Sequence, residues 1–437
     1  MILKHLCFIS ILVLSTVCVQ AQSTTASPYS FYGIGSLKFK GTVETRSMGR
    51  LSFLTDSIHI NLSNPATYAG HRFSALQDEG QIITYTVGGS RSTADLNSVN
   101  STEKTANTSF DYLAVRFPTG KFGLGFGLMP YTAVGYNLES LNENDELSSR
   151  FNGEGGLNKV FLGLGYRFSE ALRLGLEFQY NFGNVINQGV VYDYDNDGEL
   201  LQYQSQEYNR SDLSGVSLTL GIHYDKKLSE NLNLYAGATY SKNSKLTSLN
   251  QRSYSTLRII QASGQGVVVK TITANLSDEG LNQTKLTLPS RSTVGVGIGA
   301  PQKWFIGTEV AFSKTSQFSN AFISIDNVSY EDAISYSLGG YFIPKFDSFR
   351  KYYRKVTYRA GLYKENTGMN INGKAIDEFG MSFGLGLPVS QFFSNANIGV
   401  EFGKRGTTDG NLIEEQFVNL QIGLSLNDRW FVKRKYN

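Results

Sequence analysis

The sequence predicts an all-β protein: a transmembrane antiparallel β-barrel of about fourteen strands with an N-terminal plug, or hatch, inside its lumen. Three observations predict it. Apolar and polar residues alternate with period two through most of the chain beyond residue 80. The links between the alternating runs are short and long in turn. A compact, turn-rich stretch closing on Asn64-Pro65-Ala66 stands between an export signal and the first run.

The export signal comes first. Lys4 supplies a positive start, Leu6 to Val19 a short apolar core, and Val19 and Ala21 the small residues of a cleavage site after Ala21. Cys18 follows Ser15-Thr16-Val17, and a branched Val before the Cys fits lipid attachment poorly. Both cysteines, Cys7 and Cys18, fall in this segment, so the mature chain is expected to carry no disulfide, thiolate metal site or Cys nucleophile. Residues 1–21 thus read as a signal peptide, 22–72 as an N-terminal extension and plug, and 73–437 as the barrel.

Composition agrees with this division. The chain has 45 Gly, 25 Tyr and 28 Phe but only 8 Pro, and few long helix-forming runs. Its net charge of +3 gives no reason to expect a nucleic-acid partner. No apolar run of about 20 residues follows the signal, so no transmembrane helix is expected. A barrel needs none, because its lipid and lumen faces alternate.

The strands follow in order. In 172–182, Leu172, Leu174, Leu176, Phe178, Tyr180 and Phe182 share one face, and Arg173, Gly175, Glu177, Gln179 and Asn181 the other. Val216, Leu218, Leu220, Ile222 and Tyr224 oppose Ser217, Thr219, Gly221 and His223. Met381, Phe383, Leu385 and Leu387 oppose Ser382, Gly384 and Gly386; Val418, Leu420, Ile422, Leu424 and Leu426 oppose Asn419, Gln421, Gly423 and Ser425. Such runs lie near 80–90, 107–118, 121–138, 147–168, 171–184, 205–225, 231–247, 286–300, 303–315, 332–343, 354–366, 377–388, 395–405 and 414–426. An even number returns both ends to the periplasm. The links near 118–120, 169–170, 225–230 and 300–302 are tight; those near 91–106, 139–146, 185–204, 248–285 and 316–331 are long and polar. Short periplasmic turns and long outer loops are the habit of outer-membrane barrels. Trp304, Tyr352, Tyr353, Phe392, Phe393, Trp430 and Phe431 cluster where an inner aromatic girdle belongs, and a basic tail, Lys433 to Asn437, follows.

Met48-Gly49-Arg50, Asp56 and Asn61 to Ala66 resemble the hatch of the FadL-type outer-membrane transporters of long-chain fatty acids and other hydrophobic compounds. The resemblance implies a plug made by Gly49, Arg50, Asp56, Asn64, Pro65 and Ala66, and a kinked third strand that opens laterally into the membrane. Pro130 is the expected kink, because proline cannot donate to a strand ladder. About 25 mature residues precede Ser47, including Ser27 to Ser36; this extension is longer than the family pattern and is similar to that of Bacteroidota-like members.

Inward parity adds candidates. Glu177, Glu309 and Glu401, with Arg167, Arg173 and Arg359, face Arg46, Arg50 and Asp56 of the plug, either as a latch or as a solvated lumen wall. Gly163, Gly165, Gly295, Gly297, Gly299 and Gly399 would let the plug approach closely. Tyr131, Phe161, Phe305, Tyr341 and Phe417 suit a hydrophobic cargo or packing of the plug. Asp193 to Gly198 has the opening spacing of a calcium loop, but Gln204 stands where the bidentate Glu is required, so no metal is expected. His59, His71 and His223 have no Ser and acid partners at a recognisable spacing, so neither enzyme activity nor a cofactor is expected. The function expected is passive outer-membrane transport of hydrophobic small molecules. The alternative is a non-transporting barrel subunit of an assembly or secretion complex. Expected partners are membrane lipids, lipopolysaccharide, a hydrophobic cargo and other outer-membrane proteins.

Overall fold

The computed structural model of the protein describes residues 25–56, 58–69, 81–260, 265–323, 325, 327–348, 350–389 and 394–430. Its strands in chain order are β1 (Ser36–Leu37), β2 (Gln81–Asn97), β3 (Thr102–Thr119), β4 (Phe122–Pro130), β5 (Thr132–Leu141), β6 (Leu147–Arg167), β7 (Leu172–Val191), β8 (Tyr203–Ser229), β9 (Leu232–Ser241) and β10 (Ser244–Ile260). There follow β11 (Gln265–Thr273), β12 (Gln283–Leu288), β13 (Arg291–Ala300), β14 (Trp304–Ser313), β15 (Ser319–Asn320), β16 (Val328–Tyr330), β17 (Ala333–Phe342), β18 (Thr357–Ile371), β19 (Lys374–Pro388), β20 (Asn395–Arg405) and β21 (Glu414–Trp430).

These make a closed antiparallel barrel of fourteen staves. Several staves are interrupted: β4 and β5 form the third, β9 and β10 the seventh, and β12 and β13 the eighth. Closure is by β2 against β21, in continuous register from Gln81↔Trp430 to Asn97↔Glu414. Along each stave the pleat separates two environments. Leu174, Phe178, Ile222, Phe383 and Ile422 are exposed on the outside, while Arg173, Glu177, His223, Ser382 and Gln421 are buried inside. Trp304, Tyr352, Tyr353 and Trp430 lie exposed at the end expected to face the periplasm. The signal peptide, residues 70–72, Phe392, Phe393, Phe431 and the basic tail lie outside the described residues.

Two expected loops are strand instead. Of the link near 91–106 only the turn at 98–101 remains between β2 and β3. The link near 248–285 holds most of β10, all of β11 and part of β12. The cause is physical. Beyond the membrane there is no lipid face, so strands such as Asn250 to Ser253 carry polar residues on both sides and the period-two signal fades.

Ile422 sits midway along the outward set of β21, and Val418 near its outer end. Ile422→Arg should therefore lower unfolding stability in lipid by about 2–4 kcal/mol, and Val418→Arg by about 0–1 kcal/mol. Equal losses in denaturant titrations of the reconstituted barrel would contradict this placement.

Candidate functional site

The lumen is occupied by the chain's own N-terminal segment, and glycine makes room for it. Inward positions of neighbouring strands are glycine in register: Gly123↔Gly165↔Gly175↔Gly221 across β4, β6, β7 and β8, and Gly307↔Gly339↔Gly361 across β14, β17 and β18. The segment lies on this belt. A Cβ on Gly123 would overlap the Tyr68 carbonyl, and on Gly175 the Ala66 amide; at Gly339 it would overlap the Met48 carbonyl, and at Gly361 the Gly49 amide. Gly163, Gly165, Gly295 and Gly399 also face the segment, at Tyr68, Ala69, Phe53 and Ser47. Gly297 and Gly299 instead lie against Phe305 and Trp304 of the wall.

Asn64-Pro65-Ala66 is bound on both sides. Asn64 Oδ1 accepts from the Ala66 amide at 3.0 Å, closing a local turn, and Asn64 Nδ2 donates to the Ile222 carbonyl of β8 at 3.0 Å. Pro65–Ala69 then forms a fully buried 3₁₀ turn. Gly49 and Arg50 both adopt left-handed backbone, with φ of 68° and 70°. For Arg50 that conformation is unusual. It is held by the guanidinium, which lies 3.4 Å over the Tyr363 ring and binds Glu378 at 2.7 Å and Glu401 at 2.5 Å.

Arg50 belongs to a larger charge cluster. Arg46 meets Glu401 at 2.8 Å and Asp111 at 3.6 Å. Lys40 meets Glu378 at 2.7 Å, and Arg405 also pairs with Glu378. Glu401 is 0% exposed, so its charge is stable only because two guanidiniums and Tyr363, Asn419 and Gln421 surround it. Among the expected latch residues, Arg46 and Glu401 pair directly. Glu177 and Glu309 hold the segment through neutral donors: Tyr68 Oη at 2.6 Å, and the Ser52 amide and hydroxyl at 2.7 and 2.8 Å. Among the described residues the ion pair of Asp56 is with His59 of its own segment, at 2.7 Å. Arg167, Arg173 and Arg359 donate to the Gly120 carbonyl, Asp225 and Asn397. Sequence reasoning missed Lys40, Asp111, Tyr363, Glu378 and Arg405. Parity already turned Glu378 and Arg405 inward; both lie at strand ends where the apolar pattern weakens.

Burial alone would raise the Asp56 carboxyl, but His59 and the local amides hold it below the usual carboxylate range. Burial alone would lower His59, but Asp56 and Glu44 raise it.

The third stave breaks after Pro130. β3 pairs with β4 only from Leu113↔Leu128 to Thr119↔Phe122. Beyond Tyr131 the stave turns inward, and Thr132 to Tyr136 are buried on both faces. β6 bridges the break, pairing with β4 up to Pro130↔Asn158 and with β5 from Val134↔Gly155. The other edge of β5 has lost β3, and the N-terminal extension takes its place. β1 pairs Ser36↔Ala133 and Leu37↔Thr132, the Lys38 amide donates to the Tyr131 carbonyl at 2.9 Å, and Ser30 Oγ binds both the amide and carbonyl of Gly135 at 3.1 Å. Tyr29 Oη donates to the Ile413 carbonyl, in the link between β20 and β21, at 2.5 Å.

The five expected lining residues do not share one space. Phe161 stacks on Tyr68, and Phe305 packs on Phe53, Tyr235 and Tyr341. Tyr131 joins a cluster with Phe31 and Ile34. Phe417 lines a polar cavity of about 100 Å³ with Lys38, Lys40, Arg46 and Glu415. Among the described residues no group of three or more metal-ligating side chains is present.

The closed fourteen-stave antiparallel barrel matches the fold of FadL-like plugged barrels. The fold is similar to the Pseudomonas putida toluene transporter TodX (TM-score 0.60, 14% identity, 91% of this chain and 100% of that one). It is also similar to the CymD monoaromatic hydrocarbon channel (TM-score 0.55, 13% identity, 90% and 98%). A Pseudomonas aeruginosa FadL homologue gives 0.58 at 11% identity, covering 91% and 100%. At these identities the likeness concerns the fold alone. No curated protein matches the sequence. The BamG family model matches residues 1–437, and the chain belongs to the BamG family.

Arg46 and Arg50 seat the N-terminal segment on Glu401. Glu401→Gln removes the buried carboxylate that Arg46 and Arg50 share, leaving Arg46 to Asp111 and Arg50 to Glu378, and should cost at most about 3–5 kcal/mol. Tryptic cleavage after Arg46 and Arg50 should then accelerate more than tenfold, and an unchanged rate would disprove the seat. The Asp56–His59 pair contributes fully between the ordinary Asp and His values, about pH 4 to 6.5, because Asp56 is lowered and His59 raised. Its contribution is lost as pH rises through the raised His59 value, or falls through the lowered Asp56 value. Hydrogen exchange at 52–60, corrected for intrinsic rates, should accelerate above neutral pH in the native chain but not in His59→Gln.

Proposed function

We propose that this protein is a plugged, non-conducting barrel subunit of an outer-membrane protein assembly or secretion complex. One observation carries the reading: the chain fills its own lumen and also fills the edge of β5 that the interrupted stave exposes. A small-molecule site usually needs several hundred Å³ lined mainly by apolar groups. The cavity beside Lys38 and Arg46 has about 100 Å³ and polar walls.

The break at Pro130 favours a second reading, passive transport of hydrophobic compounds through a lateral opening. The solved toluene and hydrocarbon channels of this fold are named for such cargo. Long-chain fatty acids are the finer form of that proposal.

The test is purification of the full chain in mild detergent, with partners identified, together with liposome uptake of toluene and a fatty-acid analogue. The subunit reading expects stoichiometric outer-membrane partners and uptake no faster than in protein-free liposomes. A monomer that admits either compound, and loses that ability in Pro130→Val, would establish transport instead. Deleting residues 22–40 should convert a silent barrel into a leaky one in planar-bilayer recordings. A deletion variant that folds and stays silent would show that the extension is not what closes the lumen.

A further inference from the structure

Most strand-to-strand links at the periplasmic end are tight. The link between β17 and β18 is not. It runs through 343–356 and carries Lys345, Arg350, Lys351, Arg354 and Lys355 against the single acid Asp347. Lys303, in the link between β13 and β14, lies beside it, because the Ile343 amide donates to the Lys303 carbonyl at 2.7 Å. The Lys345 amide donates to the Arg354 carbonyl at 2.8 Å, which draws the two ends of the link together. Lys303, Lys345, Arg350, Lys351 and Arg354 are all exposed. Among the described residues none of these five is in an ion pair. At the outer end exposed cations do pair, as Arg150 does with Glu139 and Lys404 with Glu414.

Aromatic side chains fix where this link stands relative to the membrane. Trp304, Phe342 and Tyr358 are paired in register across β14, β17 and β18, and all three are exposed on the outward face. Such rings mark the level of the lipid headgroups. Tyr358 Oη donates to the Tyr353 carbonyl at 3.1 Å, and Tyr352 Oη to the Pro388 carbonyl at the end of β19 at 3.0 Å. The turn Tyr352–Arg354 is thereby held against the outward side of the rim, not beneath the lumen. Tyr352 and Tyr353 are themselves exposed, and the Arg354 guanidinium lies 6.0 Å over the Tyr353 ring. The cations therefore border the aromatic row on its aqueous side.

We infer that Lys303, Lys345, Arg350, Lys351 and Arg354 form a binding surface for the headgroup phosphates of anionic phospholipids in the periplasmic leaflet. Two observations select that occupant. The cations stand at headgroup depth, where the phosphates of the bilayer are the nearest anions. The turn that carries Arg354 is tied to Tyr358, whose ring faces lipid, so a lipid bound there meets the aromatic row with its chains and the cations with its phosphate. An acidic protein would approach from the water below and use the charges without the row. This surface is separate from the lumen and does not depend on whether the barrel conducts.

Trp304 itself is the probe. The chain has 2 Trp, so Trp430→Phe leaves Trp304 alone. That variant of the full chain is reconstituted in phosphatidylethanolamine bilayers with a minor share of brominated phosphatidylglycerol or, in parallel, brominated phosphatidylethanolamine. Bromine quenches tryptophan on contact, so the ratio of quenching gives the relative affinity of the two lipids at this sector. A Lys or Arg near an anionic surface contributes roughly fivefold. Phosphatidylglycerol should therefore be favoured at least about fivefold, and the preference should shrink in about 0.5 M salt. It should vanish in Lys345→Gln/Arg350→Gln/Lys351→Gln/Arg354→Gln, while heat-modifiable migration shows the barrel still folded. If that variant does not fold, the salt titration of the native link decides alone. Equal quenching by the two lipids, a preference that salt leaves unchanged, or one that the fourfold variant keeps would each overturn the inference. Equal quenching would leave the link to an acidic protein.

Discussion

In hydrocarbon, a backbone amide or carbonyl without a partner costs several kcal/mol, and the whole structure depends on that constraint. It requires closure, which β2 and β21 provide over seventeen consecutive pairs. It also makes an interrupted stave a problem. At Pro130 the stave leaves β3 and turns inward, so one edge of β5 has no strand beside it. The extension meets that edge group by group: Lys38 at Tyr131, β1 at Thr132 and Ala133, and Ser30 at Gly135. Residues of the N-terminal extension between Ser30 and Lys38 are thus the ones that complete this wall.

The same economy of space explains the glycines. A wall that reads leucine-out and glycine-in gives up inward side-chain volume on several staves at one level. That volume is returned by backbone atoms of Met48, Gly49, Ala66 and Tyr68. Wall and segment are therefore complementary at the level of main chain, which leaves little freedom for another occupant at that level. Above it the complementarity changes to ion pairs, where Lys40, Arg46 and Arg50 approach β19 and β20.

Much of this was legible. Period two gave fourteen staves and their inward residues, because a lipid face and a lumen face impose opposite chemistry on adjacent residues. Asn64-Pro65-Ala66 and Gly49-Arg50 lie in the segment against the glycine belt, and the third stave breaks after Pro130. What was not legible depends on pairing across long sequence separations. Asp56 was expected to meet the barrel and instead closes on His59, three residues away. Glu177 and Glu309 face inward as expected, but which donor each would meet was set by the path of the segment. The outer strands escaped because water on both sides removes the alternation.

The charge cluster bears on whether the segment moves. Buried ion pairs are weak sources of net stability, since desolvation offsets most of their attraction. They are strong sources of position, because separating one partner leaves a bare charge at about 3–5 kcal/mol. Withdrawing the segment would strip Glu401 of both its guanidiniums and Glu378 of Lys40 and Arg50 together. Among the described residues the wall cation paired with either carboxylate is Arg405, already bound to Glu378. A door that opens on each transport event would need a second set of partners for these charges. The arrangement fits a segment seated once, as the barrel forms, and the lumen is then better regarded as a core than as a passage.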